Sequence, residues 1–251
     1  MLKKRLIAAL ALNNGVLFRT KLFRPDYRYT LNFVDLWSID EIVALDVTRP
    51  GEGERKNFEA AIQRIAENCF VPLTVGGGVK SLDDVKRLFD IGADKIAVNT
   101  AALERPALIN ELAHKLGSQA VVVSIDAKPD LANHYHYRVY SHCGSRATDW
   151  SAEDWGREVA YRGAGEILIT AIERDGALQG YDLNLVRRMT ETQMVRIPVI
   201  ALGGCGNWKH AAEVLAVCDG ACTQNIYHFT EASIKGAKNY LNQHGVPVRV
   251  S

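Results

Sequence analysis

Two short apolar runs end in different chemistry. "VVVSIDAKPD" reaches Asp126 where a strand gives way to a loop, whereas "LIAALALNNG" places Ala11 at what reads as the matching point. A carboxyl group at a strand end can move a proton or orient a nucleophile, and a methyl group can do neither. Two glycine-rich turns, Gly76-Gly77-Gly78 and Gly203-Gly204 with Gly206 beyond, each join an apolar run to a helical stretch. Missing side chains let backbone N–H groups approach a phosphate there, although the same glycines also suit plain tight turns. Asn99-Thr100 ends another apolar run and Gln224-Asn225 a further one, so the turns mark two candidate phosphate sites. Charges at the opposite ends of strands form a third group: Arg5, Glu41, Lys95 and Glu166.

The elements that position these residues alternate along the chain. Strands are expected over 5–11, 41–46, 71–75, 95–99, 120–126, 166–170, 197–201 and 219–223. Amphipathic stretches lie between them; in "SLDDVKRLFDIGA", Leu82, Val85, Leu88 and Phe89 recur at helical spacing and Ser81 suits an N-cap. Eight strands in 251 residues, mostly separated by helices, predict an α/β fold of the (β/α)₈ TIM-barrel type, with a doubly wound sheet as the alternative. No linker divides residues 1–251, so a single barrel domain is expected. The chain also repeats itself: "PLTVGGGVKSLDDV" resembles "PVIALGGCGNWKHA", "DEIVALDVTR" resembles "GEILITAIER", and "LIAALALNNG" resembles "VVVSIDAKPD". Three units in the same order indicate a duplicated half-barrel.

Strand alternation predicts where the charges point. Arg5 shares a face with Ile7, Ala9 and Ala11; Glu41 with Val43 and Leu45; Lys95 with Ala97 and Asn99; and Glu166 with Leu168 and Thr170. If Ala11 and Asn99 face the barrel mouth from inside, two cations and two anions ring the opposite end. A buried charge costs several kcal/mol unless paired, so such a ring is either a structural salt bridge or a gate for a small polar species.

Bulk composition narrows the function. Lys plus Arg number 30 and Asp plus Glu 29, a net charge of +1 that offers no general attraction for nucleic acid or an anionic membrane. "MLKKRLIAALAL" reads as a first strand rather than a signal peptide, and no apolar stretch approaches the ~20 residues that span a bilayer. Five cysteines with no CxxC pair argue against a disulfide framework and for a reducing cytoplasm. His134 and His136 share a strand face near His142 and Cys143, which reads as an exposed hairpin rather than a metal site. Tyr27, Tyr29 and Phe33, with Arg24 and Arg28, read as local packing rather than a docking patch. No metal or cofactor is expected.

"MLKKRLIAAL", "TVGGGVKSLDD", "GADKIAVNTAAL", "GSQAVVVSIDAK", "RGAGEILITAIERDGALQGYD" and "IYHF…YLNQHGVPVR" together resemble the HisF-like cyclase subunit of imidazole glycerol phosphate synthase over nearly the whole chain. The resemblance implies a barrel with a glutaminase subunit on its bottom face. Ammonia then passes through the bore to a bis-phosphorylated intermediate at the top. It assigns Arg5, Glu41, Lys95 and Glu166 to an ammonia gate, and Asp94 and Gln119 to the glutaminase interface. It assigns Gly78, Asn99 and Thr100 to one phosphate site, and Asp175, Gly176 and Gly204 to the other. Catalysis in the family uses two aspartates; Asp126 matches one and Ala11 stands at the other. Asn225 stands where the second phosphate site has serine, Ala177 where a threonine is expected, and Arg19 replaces a lysine in a shortened first loop. These departures resemble second-copy barrels of surface-polysaccharide pathways, which hand ammonia to a separate sugar amidotransferase. An ammonia-conducting subunit is therefore expected, the alternatives being an authentic cyclase working with Asp126 alone and a non-catalytic phosphate-binding regulator.

Overall fold

The computed structural model describes residues 3–21, 23–28, 39–130, 136–191, 195–224 and 234–249. Eight parallel strands close into a barrel: β1 (Arg5–Asn13), β2 (Glu41–Asp46), β3 (Leu73–Gly76), β4 (Lys95–Val98), β5 (Val121–Pro129), β6 (Glu166–Ala171), β7 (Val199–Leu202) and β8 (Gly220–Thr223). Neighbours pair in chain order, β8 pairs β1, and the β5–β6 ladder from Glu166↔Val122 to Ala171↔Ala127 completes the ring. Helices α1 (Arg55–Ala66), α2 (Leu82–Asp90), α3 (Ala107–Leu116), α4 (Ala152–Tyr161), α5 (Leu183–Thr190), α6 (Trp208–Leu215) and α7 (Ile234–Gln243) follow β2 to β8 and pack outside. The fold is the expected (β/α)₈ barrel, not a doubly wound sheet.

The strands carry apolar residues at nearly every position because both their faces are buried. Leu6, Ala8, Leu10, Leu12, Ile42 and Ala44 face the helices and join the large outer core. Ile7, Ala9, Val43, Ala97, Val122, Leu168, Ile200 and Cys222 face inward and form a separate inner cluster. The inward phase assumed for the strand charges is therefore the phase the barrel adopts. Helix α2 starts as its sequence implies: Ser81 Oγ accepts from Asp84 N at 3.2 Å, and the Asp84 carboxylate accepts from Ser81 N at 3.0 Å, closing a capping box. Its Val85 and Leu88 are buried, while Leu82, grouped with them by spacing, stays 39% exposed in the first turn.

Side chains clip the floor. Asp40, Asp94 and Asp219 each precede an even-numbered strand, donate their backbone N–H to a carbonyl of the preceding strand, and accept a backbone N–H back. The partners are Leu6 with Asp40 at 2.8 Å, Leu73 with Asp94 at 2.8 Å and Val199 with Asp219 at 3.0 Å. Gly165 holds the fourth equivalent position and offers only its N–H, to Val121 O. A Cβ there would lie 2.1 Å from Ser118 O, so no side chain fits.

Two hairpins rise from the mouth, after the repeat-equivalent strands β1 and β5. Val16–Lys21 pairs antiparallel with β1 and with Arg24–Arg28. Tyr137–Ser141 pairs antiparallel with β5 and with Arg146–Ser151. His136 is exposed at the foot of the second hairpin. His134, Tyr29 and Phe33 lie outside the described residues, as do the side chains of Arg24, Tyr27 and Arg28.

Candidate functional site

At the floor, β1, β2, β4 and β6 bring their first residues together. Arg5 Nη1 donates to Glu41 Oε2 at 2.9 Å and to Glu166 Oε1 at 2.8 Å. Lys95 Nζ donates to Glu41 Oε1 at 3.0 Å and to Glu166 Oε2 at 3.1 Å. Each cation thus bridges both anions in a closed ring. Burial alone would lower the Arg5 pKa, but Glu166 and Glu41 outweigh it and hold it above its usual value. Glu41 is 2% exposed and takes a further hydrogen bond from the Thr74 hydroxyl at 2.9 Å. Sequence reasoning missed Thr74; its β3 phase, shared with Gly76, was the available signal. A neutral ring presents no net charge to a small neutral molecule, and displacing one side chain breaks two bridges at once. Asp94 and Gln119 are both exposed on this bottom face.

At the mouth, Asp126 sits near the end of β5, 8% exposed, and accepts from Asn99 Nδ2 at 2.7 Å. Burial pushes its carboxyl up to about 7, against the hydrogen bonds of Asn99, Thr170 and Ser124, with the Asp175 charge adding to the rise. Such a group exchanges protons readily at neutral pH. Ala11 lies on β1, four strands away around the ring and 6% exposed. The mouth position opposite Asp126 therefore carries a methyl group.

The two glycine turns have different surroundings. Gly77 and Gly78 adopt left-handed φ values of 92° and 65°. Among the described residues, a Cβ on Gly78 would meet only the Arg55 guanidinium, with Nη1 at 3.2 Å. Arg55, the first residue of α1, donates to Gly77 O at 2.7 Å and to Asp46 Oδ2 at 3.0 Å. No periodic signal in the sequence pointed to it. Thr100 accepts from His142 N at 3.0 Å. At the second turn, Asp175 takes Phe23 N at 2.9 Å, and its Oδ1 lies 3.0 Å from the Thr20 hydroxyl. Burial raises the Asp175 pKa despite these donors. Gly176 and Gly204 lie beside it around a cavity of about 10 Å³. Asn225 is outside the described residues, as is the side chain of Arg19. Cys218 and Cys222 are buried free thiols. Among the described residues, no cluster of three or more His, Cys, Asp or Glu could hold a metal, and no helix is long and apolar enough to cross a membrane.

Fold and site together define a (β/α)₈ barrel with a closed charge ring at its floor and two buried carboxyls, Asp126 and Asp175, at its mouth. The family model for "Histidine biosynthesis protein" matches residues 8–233. The imidazole glycerol phosphate synthase subunit HisF of Anoxybacillus flavithermus is 41% identical over 256 residues, covering 99% of this chain and 100% of that one. The subunit of the same name from Pyrobaculum aerophilum is 47% identical over 212 residues, covering 84% and 81%. That from Bacillus subtilis is 44% identical over 212 residues, covering 84% and 82%. The chain belongs to the histidine biosynthesis protein family and, within it, is HisF-like.

Proposed function

We propose that the chain is the barrel subunit of a glutamine amidotransferase complex. It receives ammonia from a HisH-like glutaminase docked beneath the floor, beside Asp94 and Gln119. It conducts that ammonia past Arg5, Glu41, Lys95 and Glu166 to the mouth, where cyclisation is impaired by Ala11. The ammonia then goes to a separate amidotransferase that makes an acetamidino sugar for surface polysaccharide. The observation that carries this reading is the contrast along β1. Arg5 closes the floor ring, while Ala11 leaves Asp126 without a carboxyl on β1 across the mouth. Mixing the protein with a HisH-like glutaminase and measuring glutamine hydrolysis tests it. Stimulated hydrolysis with ammonia released at the mouth is expected, and no complex with no stimulation refutes it.

A second reading is the cyclase subunit of imidazole glycerol phosphate synthase in histidine biosynthesis, working with Asp126 alone. It is favoured by the near-neutral carboxyl of Asp126 and by relatives of that name matched over almost the whole chain. Losing one general acid or base costs roughly 10²–10⁴-fold, which leaves measurable turnover. Robust growth of a cyclase-deficient histidine auxotroph carrying this gene would establish it over the first reading.

A further inference from the structure

A groove of about 300 Å³ opens on the outer side of the second hairpin. Neither Asp126, nor Ala11, nor either glycine turn lines it. One wall is the short helix Thr100–Glu104, through Leu103 and Glu104. The other is the strand Arg146–Ser151, which ends its side of the sheet among the described residues. The two walls are tied together. His142 N donates to Thr100 Oγ1 at 3.0 Å, and His142 Nε2 lies 3.5 Å from Glu104 Oε1. The gap between them is therefore fixed by contacts at its upper end.

The lining combines an aromatic plane with charges of both signs. Trp150 is partly buried, and the wholly buried Trp155 backs it, with ring centroids 5.2 Å apart and planes tilted by 47°. That support holds the indole in place and leaves its exposed side to the groove. Glu104, Arg146 and Asp149 are all exposed along the rim. Among the described residues, neither the Asp149 carboxylate nor the Arg146 guanidinium is engaged by a hydrogen bond or an ion pair. Thr148 is different: its hydroxyl donates to Val139 O at 2.9 Å and accepts from Trp150 N at 3.2 Å, so it braces the strand.

We infer that this groove binds an uncharged sugar ring, with Trp150 as the platform and Glu104, Asp149 and Arg146 as the polar rim. A pyranose has a face of C–H groups that suits the electron-rich face of an indole. Each of its hydroxyls both donates and accepts. The carboxylates here only accept and the guanidinium only donates, so the two kinds of group complement one ligand. Two carboxylates against one guanidinium leave the rim net negative, which disfavours phosphates and other anions. The volume lies at the small end of ligand pockets, which suits one ring better than an added strand of peptide. The inference goes beyond the proposed function, which places no ligand on the outer side of this hairpin.

NMR on the full chain tests it, read at the Trp150 indole N–H, which Trp150→Phe identifies by its loss. The probes are methyl glucoside, methyl galactoside, methyl mannoside and N-acetylglucosamine, with glutamine and inorganic phosphate for comparison. At least one sugar should shift that signal saturably, with half-saturation at about 1–10 mM, and leave the Trp208 indole in place. Asp149→Asn and Glu104→Gln should each weaken binding by about threefold to tenfold, with unchanged circular dichroism. Trp150→Ala should abolish saturation transfer to the sugar, and the two exposed rim variants keep the test decisive if it does not fold. No saturable shift with any sugar at about 100 mM would overturn the inference. So would glutamine or phosphate binding more tightly than every sugar, or a sugar shift that the Asp149→Asn, Glu104→Gln double variant leaves unchanged.

Discussion

Replacing Asp126 with asparagine should flatten the dependence of stability on pH. The carboxyl is 8% exposed, and burial holds it near 7 although Asn99 Nδ2 lies 2.7 Å away. In the unfolded chain it loses its proton near its ordinary value of 3.8. Between those two values the native state binds more protons than the unfolded state. The stabilising contribution is therefore complete below the unfolded value, and it is lost as pH rises through the native one. The slope reaches about 1.4 kcal/mol per pH unit, and from pH 5 to 8 the loss sums to about 2.5 kcal/mol. Asp126→Asn carries no titrating group and should escape that loss, ending more stable than the wild type at pH 8 relative to the two at pH 5. Urea unfolding of both proteins at pH 5, 6.5 and 8, with m-values held constant, measures the difference. Parallel stability profiles would refute the reasoning. They would mean that Asn99, Thr170 and Ser124 satisfy the carboxylate well enough to keep it ionised.

Three further outcomes follow from named contacts. Thr74→Val removes the hydroxyl that donates to Glu41 and should cost about 1–2 kcal/mol in urea unfolding, because a nearly dry carboxylate loses a donor. Gly176→Ala puts a methyl group against Thr20 O at a left-handed φ of 68°. It should cost about 2 kcal/mol and detach the hairpin, seen as faster proteolysis of residues 16–28. Lys238→Met strips the partner from Asp40, a pair at 2.7 Å with both side chains under 8% exposed. It should cost about 3 kcal/mol in urea unfolding at pH 7, because it leaves a buried carboxylate unpaired.

The sequence exposed the floor better than the mouth, for a physical reason. Strand alternation is local, so Arg5, Glu41, Lys95 and Glu166 could be placed on inward faces from neighbours two residues away. Their closure into a ring then followed from barrel geometry. Thr74 obeys the same rule but sits in a four-residue strand beside a glycine run, where the alternation is too short to read. Arg55 reaches the Gly77 carbonyl from the start of α1, a placement set by how helix and turn meet in space rather than by any period. The second phosphate site was legible as a glycine turn with Asp175. The contact that Thr20 makes with Asp175 was not, because the two lie 155 residues apart in sequence and meet only once the barrel has closed. The shortened first loop forms a hairpin because β1, whose pairing with β8 ends at Ala8, offers it a free edge at the mouth.

The aspartate clips give the barrel a mechanical asymmetry. Three of the four odd-to-even strand junctions are latched by a carboxylate, while β5–β6 meets at Gly165 with a single backbone bond. Among the described residues, Glu166, the next residue, has only Arg5 and Lys95 for partners, whereas Glu41 is also held by Thr74 and stands behind the buried Asp40–Lys238 pair. At the floor the ring of charges is therefore anchored more heavily on its Glu41 side than on its Glu166 side, beside the one odd-to-even junction where steric crowding from Ser118 leaves no room for a carboxylate latch.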